Sequence, residues 1–215
     1  MRRKRPVVFL GPSLPVADAR AILRAEYKPP VRRGDIDALL ADPPPAIGIV
    51  DGEFFQSLAI SPKEVLRGLE AGIPIYGAAS MGALRAAELY PFGMIGVGTV
   101  FELYRSGRID ADDEVAVVLS PADHRPLSEA MVNIRVALTQ ARADAILDAR
   151  TCRRLIQSAK SMYFAERSYP NLWRKTAAWL PAETAAALRS YLAERKPDVK
   201  RDDARLLLQA MGSMR

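Results

Sequence analysis

Short apolar runs, each closed by turn residues, alternate with helical patterns through the first half of the chain. The runs cover residues 7–10, 46–50, 73–76 and 115–119, and the residue after each run is glycine, aspartate or serine. A continuous apolar run of this length with such a boundary is typical of a strand that is buried on both faces. The pattern therefore predicts strands at these four places.

Helical periodicity fills the intervals around these runs. The predicted helices cover residues 15–26, 34–41, 62–71, 80–89 and 98–107. The third has the clearest start, because Ser61 is a suitable N-cap, Pro62 suits the first helical position and Glu64 would close a capping box. Alternating strands and helices predict an α/β fold with a mostly parallel sheet of about four strands flanked by helices.

Beyond Pro121 the pattern changes to helices with no further strand. Helical composition covers residues 127–147, 152–168, 182–195 and 202–211. We therefore predict two regions, an α/β core at residues 1–122 and a helical C-terminal region packed on it at residues 123–215.

The composition is that of a globular protein, with 49% hydrophobic and 26% charged residues among 215. No stretch approaches the roughly 20 apolar residues that span a bilayer, so we expect a soluble, cytoplasmic protein without a membrane partner. Cys152 and His124 are the only cysteine and histidine, which argues against a disulfide or a Cys/His zinc site. The sequence also contains no phosphate-binding P-loop. We therefore expect neither a metal nor a cofactor.

The net charge of +6 comes mainly from four basic residues at positions 2–5. The rest of the chain carries only a small positive excess, and its basic residues are not interleaved with aromatic residues that would stack on bases. We therefore expect no nucleic-acid partner.

The segment from Ala78 to Gly82 lies between the third predicted strand and a helix. It has the form G-x-S-x-G, with alanine in place of the first glycine and Ser80 at the centre. Small neighbours let the chain turn sharply and let a carbonyl group approach the serine oxygen. The N–H groups of Met81 and Gly82, at a helix N-terminus, would hold an oxyanion. Alternatively, Ser80 is only the N-cap of the helix.

A nucleophilic serine needs a base, and the sequence offers two candidates. Lys63 lies in the first turn of a predicted helix, where the helix dipole disfavours a positive charge and favours the neutral amine of a Ser-Lys pair. His124 follows the fourth apolar run and would serve in a Ser-His-Asp arrangement. A lysine near a helix end is also commonly a solvated surface residue. The pattern leaves the choice of base open.

Other polar residues share the predicted edge of the sheet or the helix after Ser80. Ser13 follows the first strand and Asp51 the second, and ligands bind beyond the carboxyl ends of parallel strands. Ser13 is thus a second possible nucleophile, and Asp51 would orient a lysine or water, or cap its own turn. Arg85 and Glu88 lie on one helix face. Arg85 would receive a carboxylate or thiocarboxylate, or pair with Glu88.

A series of sequence blocks in the same order resembles the core domain of the TfuA family. The blocks are Phe9-Leu10-Gly11-Pro12-Ser13, Arg33-Gly34-Asp35, Ile49-Val50-Asp51-Gly52, Lys63-Glu64, Gly77 to Leu89, Gly93 to Gly98, Asp112 to Val117 and Arg125 to Ala130. The long block around Ser80 is the most specific. The resemblance extends from about residue 6 to about residue 140.

This resemblance implies an accessory protein of YcaO enzymes, the ATP-dependent catalysts that replace a peptide backbone oxygen with sulfur. TfuA proteins bind a ThiS-like carrier and hydrolyse its C-terminal thiocarboxylate to release sulfide, and they engage the target peptide indirectly. A Ser-Lys pair is attributed to the family, and Ser80 with Lys63 match it here. The residues expected to contact substrate are Ser13, Asp51, Arg85, Glu88 and His124. The alternatives are a non-catalytic adaptor that docks carrier and peptide on YcaO, and a general esterase.

Overall fold

The computed structural model describes residues 4–54, 58–120, 122, 125–195 and 197–213. The described residues form one sheet of five parallel strands in the order β2-β1-β3-β4-β5. The strands are β1 Val7–Phe9, β2 Glu26–Lys28, β3 Ile47–Ile49, β4 Ile75–Gly77 and β5 Ile95–Gly96. The predicted α/β class is confirmed.

The helices between the strands also match the prediction closely. The α-helices are α1 Val16–Ile22, α2 Asp35–Leu39, α3 Pro62–Glu70, α4 Met81–Leu89, α5 Gly98–Arg105, α6 Met131–Ala143, α7 Ala149–Lys160, α8 Tyr169–Thr176, α9 Ala182–Arg195 and α10 Val199–Gly212. Short 3-10 helices cover Tyr90–Phe92, Asp112–Glu114 and Phe164–Glu166. Residues 169–176 lie outside the predicted helices but form α8, because Pro170 lies in the first turn of the helix, where proline is tolerated.

The strand predictions were right in the centre of the sheet and wrong at its edges. β1, β3 and β4 are buried along their whole length, so their sequences are continuous apolar runs. The edge strand β2 contains an exposed glutamate and β5 has only two residues, so neither shows such a run. Residues 115–119 form no strand of the sheet. Their one ladder contact is an isolated antiparallel bridge between Leu119 and Pro126.

The chain divides into two compact units. The first contains the described residues up to Asp112 and those from Lys200 onward, and the second contains residues 113–199. The described residues from Lys200 onward therefore belong to the unit that contains the sheet. The sequence pattern had placed them with the other C-terminal helices. α10 packs directly on β3, since a Cβ atom on Gly48 would lie 2.7 Å from the Met211 sulfur. An apolar helix face does not reveal in advance which core it joins.

Helices cover both faces of the sheet in the first unit. α10 and α1 contribute Leu207 and Ala19 to a core that also contains Val8 of β1. α3 packs against β4 and α2. A Cβ atom on Gly68 of α3 would lie 2.8 Å from the Ile75 side chain of β4 and 3.0 Å from Ile36 of α2. These layers fix the helices that begin at the carboxyl ends of the strands.

α3 begins as predicted but uses Glu64 differently. The Ser61 hydroxyl accepts a hydrogen bond from the Glu64 amide at 3.3 Å, and Pro62 occupies the first turn. The Glu64 carboxylate does not return to Ser61. It is buried and accepts hydrogen bonds of 2.9 Å from the amides of Gly34 and Ile36 at the start of α2. The predicted capping box is thus half formed, and Glu64 joins two helices instead.

The second unit is helical and has its own apolar core. α6, α7, α8 and α9 supply most of the core. Its buried members are Met131, Ile134, Leu138, Ala141, Leu147, Cys152, Leu155, Ala159, Leu172, Leu180 and Leu188. α7 begins at the cap Asp148, whose carboxylate accepts hydrogen bonds from the amides of Arg150 at 2.7 Å and Thr151 at 2.9 Å.

Candidate active site around Ser80

The register of the sheet brings three strand ends to one edge. Phe9 of β1 pairs with Ile49 of β3, and Ile49 pairs with Gly77 of β4. Because the strands are parallel and in register, the residues that follow them emerge side by side. Ser13, Asp51 and Ser80 therefore belong to adjacent loops at the carboxyl edge of the sheet.

The chain turns sharply between β4 and α4. The Ala78 amide donates a hydrogen bond to the Ile49 carbonyl at 3.1 Å, and the Ser80 amide donates back to the Ala78 carbonyl at 2.7 Å. Ala79 lies between them with a φ of 66° and is fully buried. A non-glycine residue in the left-handed region costs on the order of 1 kcal/mol or more, and such strain is common at functional sites. The sequence gives no sign that this alanine has a positive φ.

Two glycines allow this turn to lie directly against the neighbouring strand. A Cβ atom on Gly82 would lie 1.7 Å from the Ile49 carbonyl oxygen, and a Cβ atom on Gly77 would lie 2.1 Å from the Gly82 carbonyl oxygen. Real Cβ atoms do not come so close to backbone oxygens, so only glycine fits at either position. This contact fixes the start of α4, and hence Ser80, relative to β3.

The Ser80 side chain is buried and has no hydrogen-bond partner among the described residues. Ser80 is the residue before α4, with φ −128° and ψ −121°, but its hydroxyl caps no amide of the helix. The interpretation of Ser80 as a simple N-cap is therefore wrong. No fully enclosed side-chain nitrogen or oxygen in the described part of the chain lacks a partner. The unpaired hydroxyl, on a residue 2% exposed, must therefore keep a narrow contact with the surface.

Of the two amides predicted to hold an oxyanion, one is already used. The Gly82 amide donates to the Val50 carbonyl at 3.3 Å, so it is not free to bind a substrate oxygen. The Met81 amide takes part in none of the backbone hydrogen bonds found among the described residues outside the helices and strands. Met81 is the first residue of α4, where an amide has no partner within the helix. One free donor remains beside Ser80.

Asp51 and Ser13 bind each other instead of pointing to a ligand. The Ser13 hydroxyl donates to Asp51 Oδ1 at 2.6 Å, and the amides of Gly11 and Ser13 donate to Oδ2 at 2.8 and 3.2 Å. Asp51 is 2% exposed and Ser13 is 5% exposed. Asp51 therefore ties the loop after β1 to the end of β3. It is joined to the Ser80 turn through Gly52, where a Cβ atom would lie 2.7 Å from the Met81 side chain.

Arg85 and Glu88 form the ion pair that their spacing allows. Arg85 Nη1 donates to both Glu88 oxygens, at 2.8 and 2.6 Å. Arg85 Nε also donates to the Ile60 carbonyl at 3.0 Å, just before the Ser61 cap of α3. Arg85 therefore holds the start of α3 against α4, a contact that the sequence pattern did not reveal.

The structure places the two candidate bases differently. Lys63 is an exposed residue in the first turn of α3, and no hydrogen bond or ion pair joins it to Ser80 or to another described residue. α3 packs against α4, so Lys63 and Ser80 lie on neighbouring elements. His124 lies outside the described residues.

A buried acid of α10 lies against the glycine-rich segment before α5, and no sequence pattern pointed to it. Asp203 of α10 accepts hydrogen bonds from the amides of Thr99 at 2.8 Å and Val100 at 2.7 Å. Gly98 has a φ of 91°, and a Cβ atom there would lie 2.3 Å from the Asp203 carboxyl carbon. Burial raises the pKa of Asp203 to about 6, and the hydrogen bonds from Val100 and Thr99 oppose this shift. The Asp203 carboxylate therefore satisfies the amides at the start of α5.

Two further searches of the described residues give negative results. No group of three or more histidine, cysteine, aspartate or glutamate side chains is arranged to bind a metal ion. None of the described helices combines the length and apolar character that a membrane span needs.

The fold and site define an α/β protein in which a buried, unpaired serine follows the strand β4 at a strained turn. The family model for TfuA-like proteins matches residues 51–168, more than half of the 215 residues. The chain therefore belongs to the TfuA-like protein family, as its sequence blocks predicted. The match includes Asp51, Lys63 and Ser80 but begins after Ser13. No curated protein matches the chain.

Proposed function

We propose that this chain is a cytoplasmic accessory protein of YcaO-dependent backbone thioamidation that hydrolyses the C-terminal thiocarboxylate of a ThiS-like carrier to release sulfide. Ser80 is the nucleophile and Lys63 the base. The observation that supports the proposal is the Ser80 hydroxyl, which is buried at a strained strand-turn-helix junction and makes no internal hydrogen bond. The hydroxyl neither caps α4 nor binds another described residue, so no internal contact accounts for a serine at this position.

The chemistry needs one nucleophile, one proton acceptor and one donor to the developing oxyanion. The Ser80 oxygen attacks the carbonyl carbon of the thiocarboxylate while Lys63 takes its proton. The Met81 amide stabilises the oxyanion, protonated Lys63 gives its proton to the sulfur, the carbon–sulfur bond breaks and hydrosulfide leaves, which restores the neutral lysine. Water then hydrolyses the ester on Ser80 with the same base, giving the carrier carboxylate and the free serine.

The test is sulfide release from a thiocarboxylated carrier, followed by a sulfide assay and by the mass of the carrier. Ser80→Ala is expected to abolish release, and Lys63→Ala to reduce it by about 10² or more, the size of a general-base contribution. Ser13→Ala is the control, since its hydroxyl is bound to Asp51. Activity that survives Ser80→Ala but is lost in Ser13→Ala would assign the nucleophile to Ser13.

The exposed position of Lys63 favours a second candidate function. Because no contact of the described residues directs Lys63 toward Ser80, the protein would instead be an adaptor that docks the carrier and the peptide on YcaO without catalysis. In that case the carrier mass stays unchanged on incubation with the chain alone, while addition of the chain still accelerates thioamidation by YcaO. The two measurements together separate a hydrolase from an adaptor.

A further inference from the structure

One face of α7 is unusually basic. α7 contains Arg150, Arg153, Arg154 and Lys160 and no acidic residue. The three arginines are exposed, and Arg153 and Arg154 lie three and four residues after Arg150, so both are neighbours of Arg150 on the helix surface. We call Arg150, Arg153 and Arg154 the α7 arginine face.

The α7 arginine face lacks the ion pairs that other cations of this protein make. Some exposed arginines elsewhere are paired with nearby carboxylates, for example Arg67 with Asp37 and Arg105 with Glu102. Other arginines without an ion pair among the described residues, such as Arg20 and Arg108, lie on separate segments and not together on one helix. None of the salt bridges among the described residues involves the α7 arginine face. The nearest acid in the sequence, Asp148, uses its carboxylate to cap the helix. The face therefore presents uncompensated positive charge.

A further cation stands near this face at the end of α6. Burial raises the pKa of the Cys152 thiol, the charges of Arg142 and Arg153 oppose that shift, and the charge of Asp148 adds to it. Both guanidinium groups are therefore close enough to act on one thiol. Arg142 is exposed and, like the face, has no ion pair among the described residues.

This arrangement works against the helix itself. Arg150 lies in the first turn of α7, where the helix dipole disfavours a cation. Arg150 and Arg154 are like charges at i and i+4, which destabilise a helix. Residues that break such local rules are commonly found at functional sites.

An aromatic side chain adjoins the face. The Arg154 guanidinium lies 4.0 Å from the centre of the Trp179 ring, and Trp179 is half-buried against the core of the second unit. This contact holds the guanidinium in place but leaves its N–H donors at the edge. Arginine and tryptophan are the residues most enriched at the energetic centres of protein interfaces.

We infer that the α7 arginine face, with Trp179, is a docking surface for an acidic segment of a partner protein. Guanidinium groups bind carboxylates with two parallel hydrogen bonds, and here three are displayed on one helix that itself contains no acidic residue. This inference does not depend on hydrolysis at Ser80.

A nucleic acid fits this surface less well than an acidic protein segment. Arg154 already lies against the Trp179 ring, so that ring face is not available to stack on a base.

The test uses the full chain and a fluorescein-labelled deca-glutamate peptide, with binding followed by fluorescence anisotropy at low salt. Replacing all three residues of the α7 arginine face with glutamine is expected to weaken binding about tenfold, since an exposed charge pair contributes roughly two- to threefold. The control replaces Arg20, Arg24 and Arg108, three exposed arginines of the first unit, with glutamine. The control has the same net charge and should weaken binding less than twofold.

Location is checked with the tryptophans, of which the chain has two, Trp173 and Trp179. In Trp173→Phe, excitation at about 295 nm, which selects tryptophan over tyrosine, gives emission from Trp179 alone. This emission should change saturably as the peptide binds. Circular dichroism confirms that each variant is folded.

Three outcomes would overturn the inference. The first is absence of peptide binding to the unaltered chain at low salt. The second is an equal loss of affinity in the two arginine-to-glutamine variants, which would mean binding to net charge only. The third is tighter binding of a uridine decamer with the same dependence on the α7 arginine face, which would assign the surface to RNA.

Discussion

Asp203 gives the sharpest quantitative prediction, because its carboxylate is buried where α10 meets the start of α5. The perturbation is Asp203→Asn, which keeps the shape of the side chain but removes its titration. The carboxylate is 1% exposed and accepts the amides of Thr99 and Val100. Burial raises its pKa from 3.8 to about 6.

The direction of the pH effect follows from which state binds the proton. Between about pH 4 and 6 the folded protein holds a proton on Asp203 that the unfolded chain has released. The stability that this proton provides is fully present below pH 3.8 and is lost as pH rises through about 6. A shift of this size corresponds to about 3 kcal/mol, of which about 2 kcal/mol is lost between pH 4 and pH 7.

The assay is urea denaturation at a series of pH values, followed by circular dichroism, for the unaltered chain and for Asp203→Asn. The difference between their free energies of unfolding cancels the contributions of other acids, such as Asp113. Burial raises the pKa of Asp113, but hydrogen bonds from Lys160 and Arg167 outweigh burial and lower it. That difference should change by about 2 kcal/mol between pH 4 and pH 7, in favour of the variant at the higher pH.

Asp202→Asn is the matched control, since Asp202 is an exposed neighbour on the same helix. Asp202 contributes only the smallest of the effects that raise the Asp203 pKa, so its replacement should leave most of the pH dependence in place. If the Asp203→Asn and unaltered curves stay parallel from pH 4 to pH 7, then Asp203 ionises as freely as in water and the reasoning from burial is refuted.

Two further predictions concern the frame around Ser80. Gly82→Ala should destabilise the fold by about 3 kcal/mol or more, because its Cβ atom would lie 1.7 Å from the Ile49 carbonyl oxygen. Gly93→Ala, with a φ of 100° but open space around it, should cost only about 1 kcal/mol, and similar losses in urea denaturation would contradict the steric argument. Asp51→Asn should cost about 1–3 kcal/mol, more than Ser13→Ala, because it leaves backbone donors without a carboxylate. The opposite order in the same assay would show that Asp51 does not organise the loop.

Two features of the site were predicted correctly from the sequence, because both depend only on the order and spacing of residues along the chain. Ser80 was placed between a strand and a helix, and the structure has β4 end at Gly77 and α4 begin at Met81. The Arg85–Glu88 pair followed from helical spacing. The prediction that the Gly82 amide is free was wrong, because the Val50 carbonyl, just after the neighbouring strand, accepts its hydrogen bond. Spacing shows which groups a helix leaves unpaired, but it does not show which neighbour satisfies them.

The sequence by itself determined the α/β class, the central strands, the helices between them and the family, since these depend on local periodicity, turn residues and ordered motifs. Only the tertiary structure decided that Asp51 binds Ser13, that Ala79 is strained and that the Ser80 hydroxyl is left unpaired. It also assigned α10 to the sheet and residues 115–119 to no strand of it. These features depend on contacts between segments far apart in the chain, and a pattern of apolar and polar residues carries no record of which distant partner will be chosen.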